Sequence, residues 1–262
     1  MLVVITETSE EGSRAAARLV SRAITNKPDL RLGLAAGRTP EGLYRSLVDL
    51  HRSAQLDCSA VRFFSLDELL GLPSDSPHRY TRFFHHDLLD QLGVSPAHVR
   101  LLTEERGHSE SACAAYEQFI QEQGGIDLQL LGIGRNGHLG FNEPGSSLAS
   151  RTRIVLLSPE TREVLAEELN AAQVPQWAVT MGLGTIREAR ILLLMAFGDT
   201  KADAVSRAVE GPLTAEVPAS SIHLHPQVVV VLDREAAGRL KHREYYAEQA
   251  AHLPRLLPAW LR

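Results

Sequence analysis

Residues 128–148 read LQLLGIGRNGHLGFNEPGSSL. The first part, 128–133, is short and apolar, as a strand buried on both faces should be. The part behind it, 133–148, holds four glycines, His138, Glu143 and two asparagines. A histidine and a carboxylate five positions apart, on a backbone too glycine-rich for a helix, make either a surface turn or a chemical site. The rest of the chain decides between them.

Similar apolar runs recur at 2–5, 30–35, 61–66, 99–102, 153–157, 191–196 and 228–232. Between them lie helical patterns at 13–24, 40–53, 78–92, 109–123, 161–171, 200–209 and 234–253; in the first, Ala16, Leu19, Val20 and Ile24 recur at three-to-four spacing. Strand–helix alternation predicts an α/β fold, a mainly parallel sheet with helices on both faces. The 262 residues suit a single domain.

Composition narrows the function. Hydrophobic residues make up 44% and charged residues 23%, ordinary for a globular enzyme. The net charge is −5 with no basic block, which argues against nucleic acid and anionic membranes as partners. No run reaches the roughly 18 apolar residues of a membrane span. The opening MLVVITETSEEGS lacks the basic start of a signal peptide, so a cytoplasmic location is expected. Cys58 and Cys113 have no metal or redox spacing and read as buried free thiols.

In open α/β sheets ligands bind beyond the carboxyl ends of the strands, so the turns that follow each run matter most. After 30–35 come Gly37, Arg38, Thr39 and Pro40. Thr39 reads as a helix cap, Pro40 suits the first helical position, and Gly37 lets a ligand approach the backbone. Such a turn binds phosphate through helix-start N–H groups. After 191–196 comes Gly198-Asp199-Thr200-Lys201. A lysine in the first turn of a helix opposes the helix dipole, and a bound phosphate would supply the reason. After 61–66 come Asp67 and Glu68. A carboxylate at a strand end in a partly dry cleft can act as a base, and on extended backbone only one of the two faces the cleft. In the 128–148 stretch, His138 can accept and return a proton, Glu143 can hold its other nitrogen, and Asn136 can fix its tautomer. No second His or Cys stands near at ligand spacing, so no metal is expected. His85 and His86 read as helix residues, and His223 and His225 as alternating strand positions, all in packing or surface roles.

The segments LGLAAGRTPEGLYRSL (32–47), FFSLDELLGLPSDSPHRY (63–80), LLGIGRNGHLGFNEPGSSLASRTR (130–153), AVTMGLGTI (178–186) and FGDTKADAVSRAVEG (197–211) with PASSIHLHP (218–226) resemble the glucosamine-6-phosphate deaminases, the glucosamine/galactosamine-6-phosphate isomerase family. The likeness runs in order from about residue 1 to 235. It implies a Rossmann-like three-layer α/β/α sandwich and cofactor-free isomerising deamination of glucosamine 6-phosphate to fructose 6-phosphate and ammonia, a hydrolase of amino-sugar catabolism acting on a small sugar phosphate. By position, Asp67 is implied as the base moving a proton from C2 to C1, and His138 as the ring-opening acid and base supported by Asn136 and Glu143. Gly37, Arg38, Thr39 and Lys201 fall at the phosphate. The other readings are galactosamine-6-phosphate deaminase, 6-phosphogluconolactonase and a non-catalytic sugar-phosphate sensor.

Three departures from the family pattern stand out. Asn136 replaces an aspartate found in some members. Ser146 and Arg153 match the activated hexameric branch, but its lysine position is Val155 and Glu167 lies near its phosphate-binding arginine; a monomer or small homo-oligomer is expected. A lid is expected around 144–175. The extension 241–262, with Tyr245, Tyr246, Leu253, Leu256, Leu257, Trp260 and Leu261, is expected to dock helically on its own domain.

Overall fold

The computed structural model describes residues 1–102, 109–170, 174–258 and 261. Its strands are β1 (Leu2–Thr6), β2 (Arg31–Leu34), β3 (Arg62–Ser65), β4 (Asp67–Leu70), β5 (Val99–Arg100), β6 (Leu128–Leu131), β7 (Arg153–Leu156), β8 (Trp177–Thr180), β9 (Ile191–Ala196) and β10 (Val228–Asp233). The main sheet has the order β1-β10-β9-β6-β2-β3-β5, and every neighbouring pair is parallel. In β2, β6, β9 and β10 every residue is buried. Successive strand residues point to opposite faces, so helices must cover both. This is a Rossmann-like α/β/α sandwich, as the alternating pattern and the resemblance imply.

The helices are α1 (Ser9–Asn26), α2 (Arg38–Arg52), α3 (Tyr80–Phe84), α4 (Glu110–Glu122), α5 (Pro159–Leu169), α6 (Leu183–Arg187), α7 (Ala202–Val209), α8 (Arg243–Ala251) and α9 (Leu253–Leu256). Helices α1 and α2 pack closely, because a Cβ at Gly42 would collide with Ser13. Thr8, Ser109 and Ser158 cap α1, α4 and α5 with their side chains.

Strand order decides where a ligand can bind. From β2 the chain moves outward through β3 and β5, whereas β6, β9 and β10 build on the other side. The direction of winding therefore reverses between β2 and β6, and a crevice opens beyond the carboxyl ends of those strands. The ends of β3, β2, β6 and β9 lie side by side there.

Several elements differ from the sequence expectation. Asp67 and Glu68 are not a turn. They open β4, which pairs antiparallel with β8 in a second sheet of order β4-β8-β7. The helix expected over 78–92 is α3 followed by a π-helical turn at His85–Leu89. The one expected over 234–253 is confined to α8 and the short α9. Its first part is a turn, in which the Asp233 carboxylate accepts from the Ala236 N–H. His223 lies in the 3-10 turn Pro218–Leu224 rather than a strand, and the buried His225 ring meets the Ala189 carbonyl at 2.7 Å. Of the helix expected over 161–171, Ala171 lies outside the described residues, as does Trp260 of the tail. Helix α8 packs on β1, with Tyr246, Leu257 and Leu261 buried and Tyr245 and Leu256 exposed. Cys58 and Cys113 are free and buried.

Candidate active site

One cavity of about 990 Å³ occupies the crevice. Gly37, Arg38, Thr39, Asp67, Asn136, His138 and Lys201 all line it. Glu143 is the one predicted site residue behind the wall rather than on it.

The β2 end supplies a helix start. Tyr44 Oη donates to the Ala35 carbonyl at 2.7 Å and pins the strand end. Gly37 then turns at φ 93°, a left-handed conformation that suits glycine. This residue, not Thr39, is the cap position of α2; Thr39 lies within the first turn. No side chain caps this helix start, an arrangement that suits an anion at its N–H groups. At the β9 end the Asp233 carboxylate accepts from the Gly198 N–H at 2.9 Å and holds the turn at φ 86°. Lys201 closes the 3-10 turn Asp199–Lys201 and precedes α7 instead of lying in its first turn. Burial pushes its ammonium below the ordinary lysine range; the Glu168 charge opposes that and the Arg135 charge adds to it.

The β3 end supplies the carboxylate. Asp67 pairs with Thr180 and Glu68 with Val179 across β4 and β8. The two side chains diverge, which settles which one faces the cleft. Glu68 turns away and accepts from the Leu69, Tyr80 and Thr81 N–H groups at 2.7–2.9 Å and from Thr81 Oγ1 at 2.5 Å. It is used up in anchoring α3. Asp67 borders the cavity, is buried, and its Oδ1 has no hydrogen-bond partner. Burial, helped by the Glu68 charge, pushes its carboxyl up to about 8. Gly140 permits this packing: a Cβ there would stand 2.7 Å from Thr180 Oγ1 and 3.3 Å from Asp67 Oδ2.

The β6 end supplies the histidine loop. The Gly134 N–H donates to the His138 carbonyl at 3.0 Å, and Gly137 turns at φ 89°. The His138 ring lies directly over Gly134, where any Cβ would collide with it. Its Nδ1 stands 3.6 Å from Glu143 Oε2, a charge contact longer than a hydrogen bond. Asn136 does not fix the ring's tautomer. Its Oδ1 accepts from the His138 backbone N–H at 3.1 Å and its Nδ2 donates to Glu143 Oε2 at 2.9 Å. Asn136 therefore orients Glu143, and Glu143 faces the ring. Burial alone would raise the Glu143 carboxyl; His138, Thr161 and Asn136 outweigh it and hold the group down at about 2. The other Glu143 oxygen accepts from the Ser158 N–H at 3.1 Å, which ties the loop to the start of α5.

Such a cavity brings a helix start and a buried lysine together with a buried carboxyl of raised pKa and an imidazole that faces a carboxylate. The family of glucosamine-6-phosphate isomerases/6-phosphogluconolactonase matches residues 6–231. The chain belongs to that family. The glucosamine-6-phosphate deaminase of Bifidobacterium longum subsp. infantis is 41% identical over 262 residues, spanning 96% of this chain and 97% of its own. That of Cellvibrio japonicus is 43% identical over 247 residues, 94% of each chain. Among solved structures, a monomeric glucosamine-6-phosphate deaminase superposes with a TM-score of 0.87 at 41% identity, covering 91% of this chain and 99% of its own. The 6-phosphogluconolactonase of Trypanosoma brucei shares the fold, with a TM-score of 0.72 at 22% identity over 91% of this chain and 98% of its own.

This member of the isomerase/lactonase family has wall residues that motif reading passed over. Tyr80 stacks on Phe141 with ring centroids 6.1 Å apart. Thr161 reaches Glu143 from α5. Arg135 and Glu168 also border the cavity. Arg135 had a signal, as a lone cation inside a glycine loop, and Tyr80 closes the 63–80 segment; Thr161 had none, since only tertiary packing brings it here. Ser146 and Arg153 bond each other at 3.2 Å, and Arg153 also bonds Asn142 Oδ1 at 2.7 Å. Among the described residues no cluster of three or more His, Cys, Asp or Glu could hold a metal ion, and no helix is long and apolar enough to cross a membrane.

Proposed function

We propose that this chain converts glucosamine 6-phosphate and water into fructose 6-phosphate and ammonia, in amino-sugar catabolism. The observation that carries the reading is that Asp67 and His138, from separate strand ends, border one cavity with the Gly37 helix start and Lys201.

The phosphate sits on the first-turn N–H groups of α2 at Gly37, with Arg38, Thr39 and Lys201 around it. That anchors the sugar far from its reacting carbons and places C2 against Asp67. His138 takes the proton of the anomeric hydroxyl and returns one to the ring oxygen, which opens the pyranose. Glu143, held by Asn136, steadies the imidazolium that forms in between. Asp67 then removes the C2 proton, and the electron pair shifts toward the C1 carbonyl to give an enolamine. Return of the proton to C1 leaves an imine at C2. Water adds there and ammonia departs, so one C–N bond is hydrolysed while the aldose becomes a ketose. The substrate ammonium beside Asp67 favours its charged form, offsetting the burial that otherwise keeps it protonated.

Helix α5 and the segment around it, 144–175, act as a lid in this scheme, since Ser158 and Thr161 hold Glu143 from its first turn; of that segment, 171–173 lie outside the described residues. The protein works in the cytoplasm as a monomer or small homo-oligomer and needs no cofactor. The decisive assay is ammonia release from glucosamine 6-phosphate, run beside galactosamine 6-phosphate and 6-phosphogluconolactone. Faster turnover of the galacto sugar would move the assignment to its epimer. Acid release from the lactone with no ammonia from either amino sugar would overturn it.

A further inference from the structure

The histidine loop carries one cation that the roles above leave unused. Arg135 borders the cavity immediately before Asn136. Its Nη2 stands 3.6 Å from Glu167 Oε2 near the end of α5, with both side chains largely exposed. Its charge is felt at Lys201. Arg38 reaches the same turn of α5, where its Nη2 donates to the Glu168 carbonyl at 3.3 Å. Three cations from three strand ends, those of β2, β6 and β9, thus converge on one acidic helix end. A long, exposed ion pair such as Arg135–Glu167 contributes little and breaks easily. A guanidinium facing a phosphate forms two parallel charge-assisted bonds instead.

We propose that Arg135 is a third cationic ligand of the substrate phosphate, and that Glu167 occupies it only until phosphate arrives. Arg135 then leaves the lid helix for the ligand, so phosphate binding from the histidine loop is coupled to the position of α5. The inference rests on the reading of this cavity as a sugar-phosphate site. Arg135 acts on binding rather than on proton transfer, and its removal shows in KM and not in kcat.

The test is calorimetric titration of inorganic phosphate into the wild-type protein and the Arg135→Ala, Arg135→Lys and Glu167→Gln variants, with steady-state kinetics on glucosamine 6-phosphate. Arg135→Ala weakens phosphate binding ~10–100-fold, the value of a bond to a charged group, and raises KM in parallel with kcat nearly unchanged. Arg135→Lys recovers part of the loss, since it keeps the charge and loses the fork. Glu167→Gln tightens phosphate a few-fold by removing the competing carboxylate. Phosphate binding unaltered in Arg135→Ala, a loss confined to kcat, or no phosphate binding by the wild type would each overturn the inference. Arg135-dependent phosphate binding by a protein that releases no ammonia would leave it standing and remove the deaminase reading.

Discussion

Replacing Asp67 by asparagine should make this protein more stable and inactive at once. Raising a buried carboxyl from 3.8 to about 8 means that the folded state keeps a proton the unfolded chain has already released. Between those two pH values the folded state binds more protons, so stability falls as pH rises, and the loss is complete above about 8. At about 1.4 kcal/mol per pH unit the ceiling is roughly 6 kcal/mol. Asp67 borders a water-accessible cavity, which softens the effect to roughly 3 kcal/mol at pH 9. The substituted amide carries no charge to desolvate, and the unpartnered Oδ1 of Asp67 loses no bond. At roughly 2–4 °C per kcal/mol for a chain of this size, Asp67→Asn should melt about 6–12 °C higher than wild type at pH 9 and nearly level with it at pH 4. Ammonia release should fall ~10²–10⁴-fold, as for the loss of a general base. The assay is a series of melting curves from pH 4 to 9 on both proteins. Parallel curves, or a variant less stable than wild type at pH 9, would refute the claim that burial withholds the charge of Asp67.

Three further predictions use the same geometry. The acid limb of kcat/KM should have its midpoint near 8, where free Asp67 releases its proton, and the limb of kcat should lie lower because the substrate ammonium favours the carboxylate; a pH–rate profile reads both. Glu68→Gln should move the acid limb downward, since a negative neighbour is gone, and cost roughly 2–3 kcal/mol of stability in denaturant titration, since the Glu68 oxygens accept from Thr81 Oγ1 and three N–H groups. Gly134→Ala should displace the His138 ring and cut kcat ~10²-fold with the melting temperature little changed, because the new Cβ meets a side chain at the cavity wall rather than the core.

What the sequence could disclose divides by the range of the forces involved. Runs such as 191–196 and 228–232 announce their own strands, because burial on both faces demands apolar residues at every position. The crevice was equally legible: once the strands alternate with helices, the residues just past their carboxyl ends line the cleft, and Gly37, Asp67, His138 and Lys201 all lie there, Asp67 in a new strand rather than a turn. Strands β4 and β8 were not legible. Asp67 starts β4 with only Leu66 between it and the end of β3, and its partner Thr180 lies far along the chain. The helical reading of 234–253 failed for a related reason. The Glu210 carboxylate accepts the Lys241 and His242 N–H groups, so a side chain diverts backbone donors that a continuous helix would have used.

The cost of that long-range information is largest at the carboxylate that borders the cavity. An acidic pair in sequence says that one member faces the cleft and is silent on which. The choice falls to four hydrogen-bond donors, three of them at the start of α3, all of which bind Glu68 and none of which reaches Asp67 Oδ1. Satisfying Glu68 leaves Asp67 buried without a partner for that oxygen, beside a second carboxyl that burial also pushes above the ordinary range. The same anchoring that builds the wall of the site therefore raises the basicity of the group aimed into it. Structure and reactivity at this strand end have one cause, and neither can be altered there without the other.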